Sequence, residues 1–192
     1  EKGVVMFLML SFLLSFGSFC LGGVFSSPPD PASTSSDISE PQFFDVFLAG
    51  KEGFPSIRIP SIAVTKKGTV LAIAEGRMAH ADQARNKLIL KRSTDGGRTW
   101  DALQIIAEDG LRCLNNPCTV VERESGRILI MFQSYPAGVK EGSGKIQPGL
   151  NGEWIVRNYL IYSEDDGLSW SRPRDLTPTT KRPEGVTTMA SG

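Results

Sequence analysis

Arg58 is the first residue in this sequence whose chemistry its surroundings do not explain. It stands in FPSIRIPSIAV, residues 54–64, between two isoleucines and just ahead of Pro60. Ile57, Ile59, Ile62 and Val64 are what a buried strand wants. In such a strand Ile57 and Ile59 share one face and Arg58 points to the other. A buried guanidinium without a partner is very costly, so Arg58 needs a carboxylate. That carboxylate belongs either to the chain itself or to a ligand. Asp82 follows 24 residues later in RMAHADQARNK, a segment that reads as a loop. Taken alone, Asp82 is an exposed loop carboxylate. Arg77, in AEGR, leads into that loop and has Glu75 and Asp82 as candidate ion-pair partners, with Glu75 reading as a support for an arginine.

Other reactive side chains have bland explanations. Ser93, Asp95, Gly97 and Trp100 form a Ser-x-Asp-x-Gly-x-x-Trp box, and Ser163, Asp165, Gly167 and Trp170 repeat it. The Ser and Asp can bond backbone amides across a tight hairpin, and the Gly can take a positive φ. Trp100 and Trp170 then cover a small apolar floor. Both boxes are therefore read as structural, with Glu164 and Asp166 adding solvated charge. Cys113 and Cys118 in CLNNPC are either two free thiols or a short-loop disulfide in an oxidising compartment. No zinc spacing is present, and the only histidine, His80, is read as a loop residue. No metal or cofactor is expected. With 21 basic and 21 acidic residues the net charge is zero. That argues against nucleic-acid partners and anionic membrane surfaces, which call for a basic excess.

The elements that must position these residues come from a repeat. GTVLAIAEGR…NKLILKRSTDGGRTWDALQII, residues 68–106, matches GRILIMFQSYP…NYLIYSEDDGLSWSRPRDL, residues 126–176. Each has a Gly turn, two apolar strands around a loop, a box and a third strand. Gly68 and Gly126 are 58 apart, whereas Ser93 and Ser163 are 70 apart. The second unit thus carries a 12-residue insertion, placed in residues 135–153, rich in Gly, Lys and Pro and expected at the surface. Short β-branched strands, with no helical period after residue 42, predict an all-β fold of propeller blades.

Residues 1–27 hold an uncharged run, residues 3–25, read as a cleaved signal peptide or an uncleaved membrane anchor, with a lipid on Cys20 disfavoured by Phe19. Residues 28–41 are a Pro/Ser-rich linker expected to be disordered. Residues 42–192 are the globular part. Export to the secreted, periplasmic or cell-surface space follows. The start at Glu1 and the end in TTMASG both read as cuts in a longer sequence.

The order RIPS, GTVLAIAEGR, an Asp, LILKRSTDGGRTW and a second box resembles the beginning of exported bacterial-type sialidases, over about residues 54–170. The resemblance implies a six-bladed β-propeller with its active site at the central mouth. It gives Arg58 the role of one of three arginines that clamp the sialic-acid carboxylate. It makes Asp82 the acid/base catalyst and Arg77 a contact to a ring hydroxyl. Asn116, in NNPCTVV, stands where the family often has a substrate-binding Asp, so the negative charge is gone. Phe132 and Trp154 would floor an N-acetyl pocket, or else be blade core and loop. The family's tyrosine nucleophile, its glutamate and two more arginines are expected past residue 192, since Tyr135, Tyr159 and Tyr162 come too early.

The implied activity is exo-sialidase hydrolysis with retention, on sialylated glycoproteins, glycolipids or oligosaccharides. Sialyl transfer would use the same scaffold. The alternatives are a non-catalytic Asp-box propeller that binds glycans or proteins, and a structural or adhesion module. About two blades are expected here, a piece that alone should be inactive and fold poorly.

Overall fold

The chain alternates short apolar strands with tight glycine turns, and it pairs each strand with the one that follows. The structure, a computed structural model, describes residues 4–5 and 42–187. The rest of the apolar N-terminal run and the Pro/Ser-rich linker lie outside the described residues. Among the described residues no helix is long and apolar enough to cross a membrane. Val4–Val5 (β1) pairs antiparallel with Asp45–Phe47 (β2).

Two four-stranded antiparallel sheets follow, each in plain sequence order. The first holds Ser56–Val64 (β3), Val70–Arg77 (β4), Lys87–Ser93 (β5) and Gln104–Ala107 (β6). The second holds Cys113–Val121 (β7), Ile128–Tyr135 (β8), Arg157–Ser163 (β9) and Arg174–Asp175 (β10). Each sheet is one propeller-like blade. The all-β expectation holds, and the described residues do not close into a ring. One helical turn, Thr177–Thr180 (α1), follows β10.

Every residue of β4 is buried, because both of its faces are covered. Leu71 and Ile73 on one face join Leu88 and Leu90, and these pack on Leu114, Ile128, Ile130, Phe132 and Ile161 of the second sheet. On the other face Ala72, Ala74 and Ile89 pack with Ile57, Phe54, Val46 and Phe47. Gly76 lies on that second face, where a Cβ would sit 2.7 Å from the Phe54 ring. Phe132 is thus blade core, and Trp154 lies on the loop between β8 and β9.

Both boxes form as the sequence predicts. Ser93 Oγ accepts the Gly97 N–H at 2.8 Å and donates to Asp95 Oδ1 at 2.7 Å. Asp95 also accepts the amides of Arg98 and Thr99 and the Thr99 hydroxyl. Gly97 has φ 91°. Ser163, Asp165, Gly167 and Ser169 repeat the pattern. These donors, the Ser169 hydroxyl first, bring Asp165 down to about 2. Trp100 packs against the second core face, the one that holds Ile57 and Phe54, and Trp170 against the inter-sheet core.

Two expectations need correction, and one open alternative is decided. Asp166 is not solvated charge: it docks on the first sheet, accepting the Thr69 hydroxyl at 2.6 Å and Arg92 Nη2 at 3.3 Å. The cause is blade packing, which also brings Gly167 against Leu71. Cys113 and Cys118 do not pair: both are free thiols on the single strand β7. Five residues of strand span about 16 Å, whereas a disulfide holds its Cα atoms within about 7 Å. Finally, Ile155 and Val156 are buried but precede β9, so the inserted loop runs over residues 136–156. Arg112 fixes its end by donating to the carbonyls of Ile155 and Glu153 at 3.0 and 3.3 Å.

Two measurements check this packing. Gly76→Ala should destabilise the protein by about 1–3 kcal/mol in urea unfolding, because the new methyl overpacks against Phe54. Asp165 has a folded pKa of about 2 against an ordinary 3.8. Its stabilisation is therefore complete above about pH 4 and is lost as pH falls toward 2. The Tm gap between wild type and Asp165→Asn should narrow across that window. A constant gap would show that Asp165 does not titrate with folding.

Candidate active site

The two innermost strands share a backbone device. In β3, Arg58 pairs with Glu75 and Ser61 with Ile73, so Ile59 and Pro60 together oppose one residue of β4. In β7, Asn115 pairs with Gln133 and Cys118 with Met131, which leaves Asn116 and Pro117 at the same bulge. Ile59 has φ 53° and Asn116 has φ 55°. Asn tolerates that left-handed region, whereas for a β-branched residue it is a strained outlier. Pro60 is accommodated because β3 is an edge strand of its sheet and the bulge needs no N–H there.

Arg58 emerges from this bulge exposed, and it makes no ion pair or hydrogen bond with any described residue. Directly paired residues lie on one face of a sheet. Arg58 therefore shares its face with Glu75, and Arg77 lies two residues further along that same face.

Glu75 is fully buried and organises what lies around it. Its Oε2 accepts Arg77 Nε at 2.8 Å and Arg77 Nη2 at 2.7 Å. The same oxygen accepts the side-chain amides of Asn86 and Asn115, each at 3.3 Å. Its Oε1 accepts the backbone N–H of Asn116 at 2.7 Å. Burial pushes the Glu75 carboxyl up, opposed by the Asn116 N–H and by Arg77. Every contact on these oxygens is a donor, which is the surrounding of a carboxylate.

Arg77 carries this charge outward to the loop between β4 and β5. Its Nη1 donates to Asp82 Oδ1 at 2.6 Å. The Arg77 side chain is 2% exposed, whereas that of Asp82 is 67% exposed. The ion pairs of Arg77 are thus with both Glu75 and Asp82. The Asp82 carbonyl accepts Asn86 Nδ2 at 2.5 Å and Asn115 Nδ2 at 3.1 Å. Asn116 donates from Nδ2 to Gln133 Oε1 at 2.9 Å, inside the second sheet. Tyr135 is buried beside it, and its hydroxyl lies 3.4 Å from the same Gln133 oxygen. Burial pushes the Tyr135 phenol up, the wrong direction for a nucleophile. Beyond the loop an open cleft of about 560 Å³ is lined by Met78, Ala79, Gln83, Leu111, Ala137 and Gly138, among others.

An exposed, unpaired guanidinium thus stands on the same sheet face as a buried Glu–Arg pair that holds an exposed aspartate. Known proteins resemble this chain in sequence and fold. The sialidase of Micromonospora viridifaciens is 33% identical over 144 residues, which cover 70% of this chain and 22% of the relative. The exo-alpha-sialidase of Arthroderma benhamiae is 32% identical, with 76% of this chain and 38% of the relative covered. Residues 68–188, well over half of the chain, match the family described as a BNR repeat-like domain. The chain belongs to the sialidase family of BNR-repeat proteins. Among solved structures, the BNR-repeat chain is similar to the Hadza microbial sialidase Hz136, at TM-score 0.65 and 25% identity, over 70% of this chain and 29% of that one. The intramolecular trans-sialidase from Ruminococcus gnavus shares the fold at TM-score 0.62 and 15% identity, over 70% and 51% of the two chains. The chain therefore spans about a fifth to two fifths of the curated relatives named here.

In this BNR-repeat chain the structure gathers Arg77, Asp82 and Asn116 around Glu75, with Arg58 on the same sheet face. Sequence reasoning missed Asn86 and Asn115. The signal was available: RIPS and NNPC stand 57 residues apart, almost the spacing of Gly68 and Gly126. Extending the repeat by one strand would have paired Arg58 with Asn115.

Removing Arg77 leaves Glu75 buried without its counter-charge. Arg77→Ala should cost about 3–5 kcal/mol in chemical denaturation. Arg77→Lys, which keeps the charge but not the fork, should recover only part of that loss. A loss below about 1 kcal/mol for Arg77→Ala would show that Glu75 does not depend on this pair.

Proposed function

We propose that the full-length protein is an exo-sialidase that removes terminal sialic acids from glycoconjugates with retention. The observation that carries this reading is the free Arg58 guanidinium beside the Glu75–Arg77–Asp82 assembly. Its planar fork matches a planar carboxylate, and it stays charged at any working pH. Sialic acid brings that carboxylate next to its glycosidic bond. A sugar anchored there would place its leaving group toward the loop that bears Asp82.

Asp82 is proposed as the acid that protonates the leaving glycosidic oxygen and later the base that activates water. Its side chain is 67% exposed, so a substrate can reach it where the loop holds it. Arg77 can reach a ring hydroxyl only if the Asp82 contact opens, because its guanidinium is otherwise covered. The resemblance supplies a tyrosine nucleophile with its glutamate, one of the exceptions to a carboxylate pair. Those two residues and two further arginines, together with six blades and export through residues 1–27, belong to this proposal. Asn116 offers an amide where an acid is frequent in relatives, so a neutral or anionic substituent meets no repulsion there.

The test is release from a fluorogenic phenol sialoside and from a sialylated disaccharide by the full-length protein. Arg58→Ala should lower kcat/KM by about 10²–10³-fold on both, the effect of deleting one partner of a charged pair. Asp82→Ala should spare the phenol, which needs little protonation to leave, and impair the disaccharide. Unchanged turnover in Arg58→Ala would remove the carboxylate clamp. Equal losses on both substrates in Asp82→Ala would remove the acid role.

A further inference from the structure

A catalytic acid on an exposed loop is useful only if something fixes where it sits. Productive geometry tolerates roughly 0.5 Å. In this protein the loop from residue 78 to residue 86 is tied at Asp82 in three ways. Arg77 holds the carboxyl, while Asn86 and Asn115 hold the backbone carbonyl. Arg77 and Asn86 come from the loop's own sheet. Asn115 comes from β7 of the second sheet. It is the direct side-chain tie from that sheet to Asp82.

Asn115 donates the same Nδ2 to Asp82 O at 3.1 Å and to Glu75 Oε2 at 3.3 Å. Its Oδ1 is buried and has no hydrogen-bond partner. An orphaned acceptor costs about 1–3 kcal/mol. An apolar residue would remove that orphan, but it would also take a donor from the Asp82 carbonyl and from Glu75, so it is these two contacts that call for an amide here. The backbone explains how the amide arrives. Asn115 occupies the same bulge position in β7 that Arg58 occupies in β3. One bulge presents a guanidinium to the open face, and the other presents an amide to the acid-bearing loop.

We propose that Asn115 is a positioning residue that sets the placement of the Asp82 carboxyl from the second blade, an inference that rests on the sialidase reading above. Asn115 does not touch substrate. It acts through the Asp82 carbonyl and through Glu75, which holds Arg77. Its loss lets the loop drift from the leaving oxygen while Arg58 and the sugar pocket stay in place. Proton delivery suffers, and carboxylate binding does not.

The experiment compares full-length wild type with Asn115→Ala, using a phenol sialoside and a sialylated disaccharide. A misplacement of about 1 Å costs on the order of 10²-fold. The disaccharide kcat should fall about ten-fold or more, with the phenol kcat within about three-fold and both KM values within about two-fold. The ratio of the two kcat values does not depend on how much enzyme is folded. Asn115→Ser, with less volume to lose and a short hydroxyl donor, is measured in parallel and should fall between the two. An active wild type with an unchanged kcat ratio in both variants would overturn the positioning role alone. A wild type that cleaves neither substrate would overturn the sialidase reading and this inference with it.

Discussion

The buried carboxylate of Glu75 is the constraint on which the functional end of this structure depends. A charge with no water around it must be met by donors on every side, or it destabilises the fold. Glu75 meets Arg77 from its own strand, Asn86 from the loop and Asn115 with Asn116 from the second sheet. That requirement does three things at once. It docks the second sheet against the first, it orients the Arg77 fork, and through that fork it anchors Asp82. The fully buried position of a Glu–Arg pair is poor evidence for stability and better evidence for a fixed arrangement.

The inter-sheet contact is polar at both ends and apolar between them. At one end lies the Glu75 assembly. At the other, Asp166 of the second box accepts from Thr69 and Arg92 of the first sheet. Leu71, Ile73, Leu88 and Leu90 fill the middle against Leu114, Ile128, Ile130 and Phe132. The apolar middle supplies attraction but little direction. The two polar ends fix the angle and height at which one sheet meets the next. The boxes therefore close their own hairpins and, in the case of the second, also set this docking.

How much of this was legible in the residues depends on range. The repeat, the strands and both boxes are local patterns, and they read correctly because a hairpin's chemistry lies within a few positions of itself. Phe132 as blade core follows from alternation. What could not be read was anything that depends on the neighbouring sheet. Asp166 looked like a surface acid because its partner, Thr69, is 97 residues away. Nothing local marks Asn115, because its partners, Glu75 and Asp82, belong to the first sheet. Of the two states left open for Cys113 and Cys118, the structure has the free thiols, because CLNNPC lies within a nine-residue strand interrupted by a bulge. Arg58 was singled out by its misfit among isoleucines, and the structure leaves it free of any described partner.

Ile59 holds a backbone torsion that its branched side chain resists. Such a residue stores free energy in the folded state, and it keeps its conformation only because the strands on either side over-determine it. The backbone that carries the side chain just before it is thereby fixed. At this one position thermal robustness and aim pull against each other. Any exchange that relaxes the torsion makes the chain easier to fold, and it leaves the neighbouring guanidinium freer to wander.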